Sequence, residues 1–184
     1  QVQITRSAPT LGFALGQLIV GPLSDRLGRR WPLVVCSSLH VISSVLVAIA
    51  PSVEFLTLMR GYQGIGASGG SVVAMAMARD LFSGRPLVVM LSRLAQISGL
   101  APNIAPIVGS WMVSFMPWRG IFWGLACYGA LVVALVIVMT VETRPPAQRT
   151  RGGLGTLAKG FSVVLRDRIS LGGMLIAAVS FGGL

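Results

Sequence analysis

Gly21-Pro22-Leu23-Ser24-Asp25-Arg26-Leu27-Gly28-Arg29-Arg30 is a charged hairpin set between two apolar runs, each long enough to cross a bilayer. One carboxylate sits among three arginines, and Trp31-Pro32 opens the next apolar run. A polytopic chain concentrates arginine where it emerges on the cytoplasmic side, so the hairpin fixes an orientation. Gly21 and Gly28 supply a sharp turn. Asp25 has two uses there: capping a neighbouring helix N-terminus, or pairing with an arginine.

The rest of the composition agrees with a chain whose solvent is largely lipid. Hydrophobic residues make up 54% and charged residues 11% of the 184, and the mean hydropathy is +0.80. These values exclude an ordinary soluble domain. A net charge of +10 invites a nucleic-acid partner, but the arginines lie in short segments between apolar runs and form no stripe that could follow a phosphate backbone. Trp31, Trp111 and Trp118 fall near run ends, as in an interfacial aromatic belt. Cys36 and Cys127 lie inside runs without metal or disulfide spacing and read as small apolar fillers. A membrane-embedded enzyme needs clustered His, Asp or Glu within its spans. This chain has a single His, no mid-run acid, no metal site and no nucleotide loop.

The apolar runs cover 8–23, 33–50, 55–78, 87–116 and 121–141, and a further run starts near 169. With about 20 residues per crossing, that gives five complete spans and one partial span. Helices are expected throughout, because lipid leaves no partner for unpaired backbone groups, and no stretch alternates as a barrel strand does. The fold class is therefore an all-α membrane bundle. Of the 15 basic residues, 12 fall on one side of the runs. This puts the loops 24–32, 79–86 and 142–168 in the cytoplasm. The first run then leads from outside to inside, so a further span is expected before it, and the chain reads as a piece of a longer protein.

Three parts follow: a bundle over 1–141, a cytoplasmic linker over 142–168, and the start of a second bundle over 169–184. In the linker Leu154, Leu157, Phe161, Val164 and Leu165 recur at helical spacing. They predict an interfacial amphipathic helix, with a solvated loop as the alternative. Gly12 with Gly16, and Gly66 with Gly70, form GxxxG steps that let helix backbones approach closely. Ala101, Ala105 and Gly109 share one small-residue face, interrupted by Pro102 and Pro106, which bend a helix and free carbonyls.

Arg60 is the energetic oddity. A guanidinium at mid-membrane costs about 2.5–3.5 kcal/mol on insertion scales. It either serves the mechanism or snorkels outward from its place ~8 Å inside the edge. Gln17, Gln63, Gln96 and Asn103 either line a central cavity or tie helices together. His40, among serines, either titrates or hydrogen-bonds a neighbouring helix.

The hairpin resembles the loop motif between spans two and three of the Major Facilitator Superfamily, G-x-L-x-D-R-x-G-R-R/K, at Gly21, Leu23, Asp25, Arg26, Gly28, Arg29 and Arg30. The stretch from Leu56 through Arg60, Gln63, Gly64 and Gly66 to Ala67 resembles the span-four motif L-x-x-x-R-x-x-Q-G-x-G-A. The stretch from Gly99 to Ser110 resembles the span-five signature of the antiporter branch. Pro106 and Gly109 keep their places there, while Ala101, Ala105 and Ser110 replace glycines. Phrases such as Ala101-Pro102-Asn103-Ile104-Ala105-Pro106 and Trp118-Arg119-Gly120-Ile121-Phe122-Trp123 are similar to the Bcr/CflA drug-resistance subfamily over nearly the whole chain.

The resemblance implies spans two to six and the start of span seven of a twelve-helix transporter in the bacterial inner membrane. It implies export of drugs such as bicyclomycin or chloramphenicol in exchange for protons, driven by the proton gradient with no cofactor. A part in proton coupling falls to Arg60, with Gln63 and Gly64 beside it, and a charge relay to Asp25, Arg29 and Asp80. The proton-carrying carboxylate is implied in a span one that precedes Gln1, and the other half of the cavity in a C-terminal half of the same protein. The expected partners are the drug, protons and the lipid bilayer, with no nucleic acid. A nutrient or metabolite symporter or uniporter is the alternative.

Overall fold

The computed structural model describes residues 2–143, all within one compact unit. The expected amphipathic linker helix and the run from 169 lie outside the described residues. Five helices follow one another: α1 (Val2–Leu27), α2 (Arg30–Ala48), α3 (Val53–Leu81), α4 (Gly84–Val113) and α5 (Trp118–Met139). No strand occurs among the described residues. Every helix starts before its apolar run, and α1 and α3 also continue past theirs, because flanking polar residues carry on the helical turn; α2, α4 and α5 end two or three residues short.

The connections are short. Gly28, at φ 96°, ends α1 in the left-handed region that glycine adopts without strain. Gly21 has no part in that turn. It lies inside α1, facing Val72 of α3, since the helix carries on for six residues beyond it. Ser52 caps α3 by accepting the Phe55 N–H at 3.2 Å, and Glu54 in the first turn complements the helix dipole.

The helix α3 is central: it packs lengthwise on α1 and on α2, and α2 packs in turn on α5. Small residues make those approaches close. A methyl group at Gly12 would overlap the Gly61 carbonyl, one at Gly64 the Pro9 carbonyl, and one at Gly69 the Cys36 side chain. The second GxxxG step is divided: Gly66 packs on the Cys36–His40 turn of α2, whereas Gly70 meets nothing within 4 Å. The fully buried side chains are correspondingly small: Val47, Val73, Ser24, Ser43, Ser44 and Ser68. Large apolar side chains instead point outward, among them Leu11, Ile107, Trp111 and Val138. This is the arrangement of a lipid-solvated bundle, where close backbone approach rather than a bulky core holds helices together.

On length and composition α2, α4 and α5 each suffice to cross a membrane. The remaining two helices, of 26 and 29 residues, are long enough but carry the glycine and polar faces of the seam between them. The helix α4 stands apart. It touches α3 and α5 only lightly and buries no residue among those described.

Candidate functional site

Two polar sites stand at different depths of the bundle. The deeper one surrounds Arg60, on the third turn of α3. The side chain does not run outward along lipid. It turns into the bundle, where Nη1 donates to Gln63 Oε1 at 3.1 Å and the guanidinium lies 5.4 Å from the centre of the Phe122 ring of α5. Gln63 is 4% exposed, and its Nε2 donates to Ser44 Oγ at 2.8 Å. Ser44 Oγ donates to the His40 carbonyl at 2.7 Å. His40 Nδ1 stands 3.2 Å from the Gln63 carbonyl. A carbonyl can only accept, so Nδ1 is the donor in this contact. A guanidinium, an amide, a hydroxyl and an imidazole thus form one network across α2 and α3.

This network borders a cavity of about 350 Å³ lined by Pro9, Phe13, His40, Arg60, Gln63 and Leu125, among others. Such a volume falls at the small end for organic ligands. The walls are mostly apolar. No carboxylate pairs with Arg60 among the described residues, so the charge is held by an amide oxygen and an aromatic face. Gly64 is buried at the rim of this cavity, where Pro9 approaches it. Gln17 and Asn103 are exposed and do not line it. Gln17 lies on the outer side of α1, and Asn103 turns its amide back onto the Gly99 carbonyl of its own helix at 3.0 Å.

The second site is at the end of the bundle where α1 finishes, α2 begins and α3 finishes. Arg29, 4% exposed, is its centre. Nε donates to Asp80 Oδ2 at 2.7 Å and Nη2 to Asp80 Oδ1 at 3.3 Å, a fork on one carboxylate. Nη1 donates to Asp25 Oδ1 at 2.8 Å and to Ser24 Oγ at 2.7 Å. Burial alone disfavours the charge on Arg29, but the hydrogen bonds and attraction of Asp80 and Asp25 outweigh it and raise the proton affinity above the usual arginine value. The structure thus brings Asp25, Arg29 and Asp80 together. Asp25 pairs with an arginine rather than capping a helix. Arg26 is exposed and outside the cluster. Arg30 reaches α5 instead, donating from Nη2 to the Ile137 carbonyl at 2.8 Å.

The span-five motif takes no part in either site. Ala101, Pro102, Ala105, Pro106 and Gly109 are exposed or nearly so, α4 runs unbroken through both prolines, and a side chain added at Gly99 or Gly109 would meet open space. The expected close packing of that face is absent among the described residues, because no element stands opposite it. Four contributors escaped the sequence reading. Ser24 and Ser44 are fully buried acceptors. Phe122 provides the aromatic face, and Glu142 accepts the Arg29 and Arg30 amide hydrogens at 2.8 and 3.4 Å. Serines set mid-run were the available hint for Ser44. Nothing local marks Phe122 or Glu142.

A bundle of lipid-solvated helices, with a half-buried guanidinium at one depth and an arginine–carboxylate cluster at one end, belongs to a multi-pass membrane transporter. The chain belongs to the Major Facilitator Superfamily, whose sequence profile matches residues 1–184. It is 38% identical to the MFS-type transporter YdgK of Bacillus subtilis over 99% of this chain and 46% of that one. It is 33% identical to a bicyclomycin resistance protein homolog of Haemophilus influenzae over 100% of this chain and 46% of the relative. The multidrug resistance protein MdtL of Escherichia coli (strain K12 / DH10B) is 33% identical over 80% of this chain and 38% of its own length. The crystal structure of the human organic anion transporter MFSD10 (TETRAN) shares the fold, with a TM-score of 0.70 and 22% identity over 84% of this chain and 36% of that one. The chain spans about half the length of the curated relatives it matches. Its membrane is the bacterial inner membrane, which it crosses several times.

Proposed function

We propose that the complete protein exports drugs or other small hydrophobic compounds in exchange for protons, and that it is not an enzyme. The exchange would proceed by rocking one half of the molecule against the other around a midplane site. The proton gradient would drive it without a cofactor, and the end of the bundle that holds Arg29 would face the cytoplasm. The reading rests on one observation above others: Arg60 is turned into an apolar cavity and held there by Gln63 and Phe122, with no carboxylate beside it among the described residues. A desolvated positive charge of that kind raises the cost of any second cation and responds to any carboxylate that gains or loses a proton nearby. The bicyclomycin resistance homolog among its relatives supports drugs as the substrate class.

The test uses the full-length protein in inside-out vesicles with an imposed proton gradient and labelled bicyclomycin. Gradient-dependent accumulation is expected, reduced at least about tenfold by Arg60→Ala, which corresponds to about 1.4 kcal/mol in the transport barrier. Arg60→Lys should rescue little, since a compact ammonium neither stacks on Phe122 nor reaches Gln63 in the same geometry. Export unchanged by Arg60→Ala would remove that residue from the mechanism. Uptake of a nutrient in place of export would overturn the direction.

A further inference from the structure

At the charged end, α2 and α5 cap one another with side chains of opposite sign. The first amides of a helix have no partner within it, and neither do its last carbonyls. The two ends carry partial positive and negative charge respectively. The α2 N-terminus has no side-chain cap of its own, and Arg29 at that position has helical backbone angles. Its cap arrives from a distance: the Glu142 carboxylate, just past the end of α5, accepts the Arg29 N–H at 2.8 Å and the Arg30 N–H at 3.4 Å. In the opposite direction, the Arg30 guanidinium donates to the Ile137 carbonyl in the last turn of α5 at 2.8 Å. An anion therefore sits on the positive helix end and a cation on the negative one, and each comes from the other helix.

The residue held by its backbone in this exchange is Arg29, the same residue whose guanidinium joins Asp25 on α1 to Asp80 on α3. Glu142 fixes where that side chain starts, and the two aspartates fix where it ends. We propose that Glu142 and Arg30 are positioning residues for the transport cycle: they clamp α5 to α2 so that Arg29 closes the link between α1 and α3 only while the end of α5 is seated. Neither residue contacts the Arg60 cavity. Displacement of the chain that leaves α5 after Thr143 would lift Glu142 from the α2 amides, shift the Arg29 backbone and loosen the link.

The experiment follows a cysteine at Met75 in the full-length protein, with Cys36, Cys127 and every other native cysteine replaced by alanine, in membrane vesicles. Met75 lines the cavity beside Asp25, Arg29 and Asp80, so its modification rate by N-ethylmaleimide reports opening of the link. Glu142→Ala should raise the rate about fivefold, the effect of losing a helix cap. Glu142→Gln retains length and an acceptor oxygen and should stay within about twofold of the native rate. Should Glu142→Ala fail to accumulate, Arg30→Gln removes the other half of the clamp and should act in the same direction. A second reporter at Ala67, in the Arg60 cavity, should keep its rate in every variant.

An unchanged Met75 rate in Glu142→Ala and Arg30→Gln would overturn the proposal. So would an equal rise at both reporters, which would mark a general loosening. Labelling requires no substrate, so failure of drug export leaves this result standing, and failure of the clamp leaves the export reading untouched.

Discussion

The seam between α1 and α3 and the small-residue face of α4 look alike as sequence and behave differently in the fold. Both carry glycine or alanine at helical spacing, and both include prolines. Along the seam, Gly12, Gly16 and Gly64 have backbone or side-chain atoms so near that an added methyl would overlap them. On α4, Gly99 and Gly109 have no atom near enough to feel one. Small residues license a close approach but do not supply the partner, and partner identity is a property of the whole bundle.

The sharpest break with that contrast is Gly64→Leu, which drives a side chain into the Pro9 backbone. It should cost about 3 kcal/mol or more, seen as a fall in the thermal unfolding midpoint of the chain in detergent. Arg29→Ala, which dissolves the link between α1 and α3 at the charged end, comes next at about 2–3 kcal/mol. It falls below the full range for a buried pair because Asp25 is partly open to solvent. Phe122→Ala removes only the aromatic face of Arg60 and should cost about 1 kcal/mol beyond the lost packing. Gly109→Leu should lie within about 0.5 kcal/mol of zero in the 184-residue chain. A large loss there would reveal that α4 has a partner on that face after all.

The smallest effect concerns pH. The proton affinity of Arg29 is raised by folding, so the stability linked to its charge is complete below the ordinary arginine value and is lost only as pH climbs through the raised one. The stability difference between the native chain and Arg29→Ala should therefore be flat between about pH 6 and 9 as far as Arg29 itself titrates. Unfolding curves at several pH values check it.

What could be read in the sequence follows the same division. Asp25 and Arg29 are four apart on either side of the Gly28 turn, so their meeting has a local cause. Asp80 entered only through the charge relay that the family resemblance implies. The charge pattern also ordered the helix ends: Arg29 meets Asp80 and Glu142 at one end of the bundle, while Arg119 holds the Ala50 carbonyl at the other. The turn glycines were only half legible. Gly28 is needed for its positive φ, whereas Gly21 is an ordinary helical residue at a packed face. Arg60 was undecidable from spacing, since its direction depends on Gln63 and on Phe122, a helix away. The Glu142 cap had no signature at all: a carboxylate 113 positions beyond Arg29 in sequence looks like the first residue of a linker. Gln17 and Asn103 were read as cavity candidates because polarity marks a residue as unusual without saying which way its helix face points.

The central helix runs from Val53 to Leu81 without a proline, and it carries Arg60 near one end and Asp80 in its final turn. Twenty residues at about 1.5 Å each separate the two, so a rigid shaft of about 30 Å joins them. A tilt imposed at the Arg60 end of such a shaft would arrive at the Asp80 end as a sideways step, without any relay of side chains between.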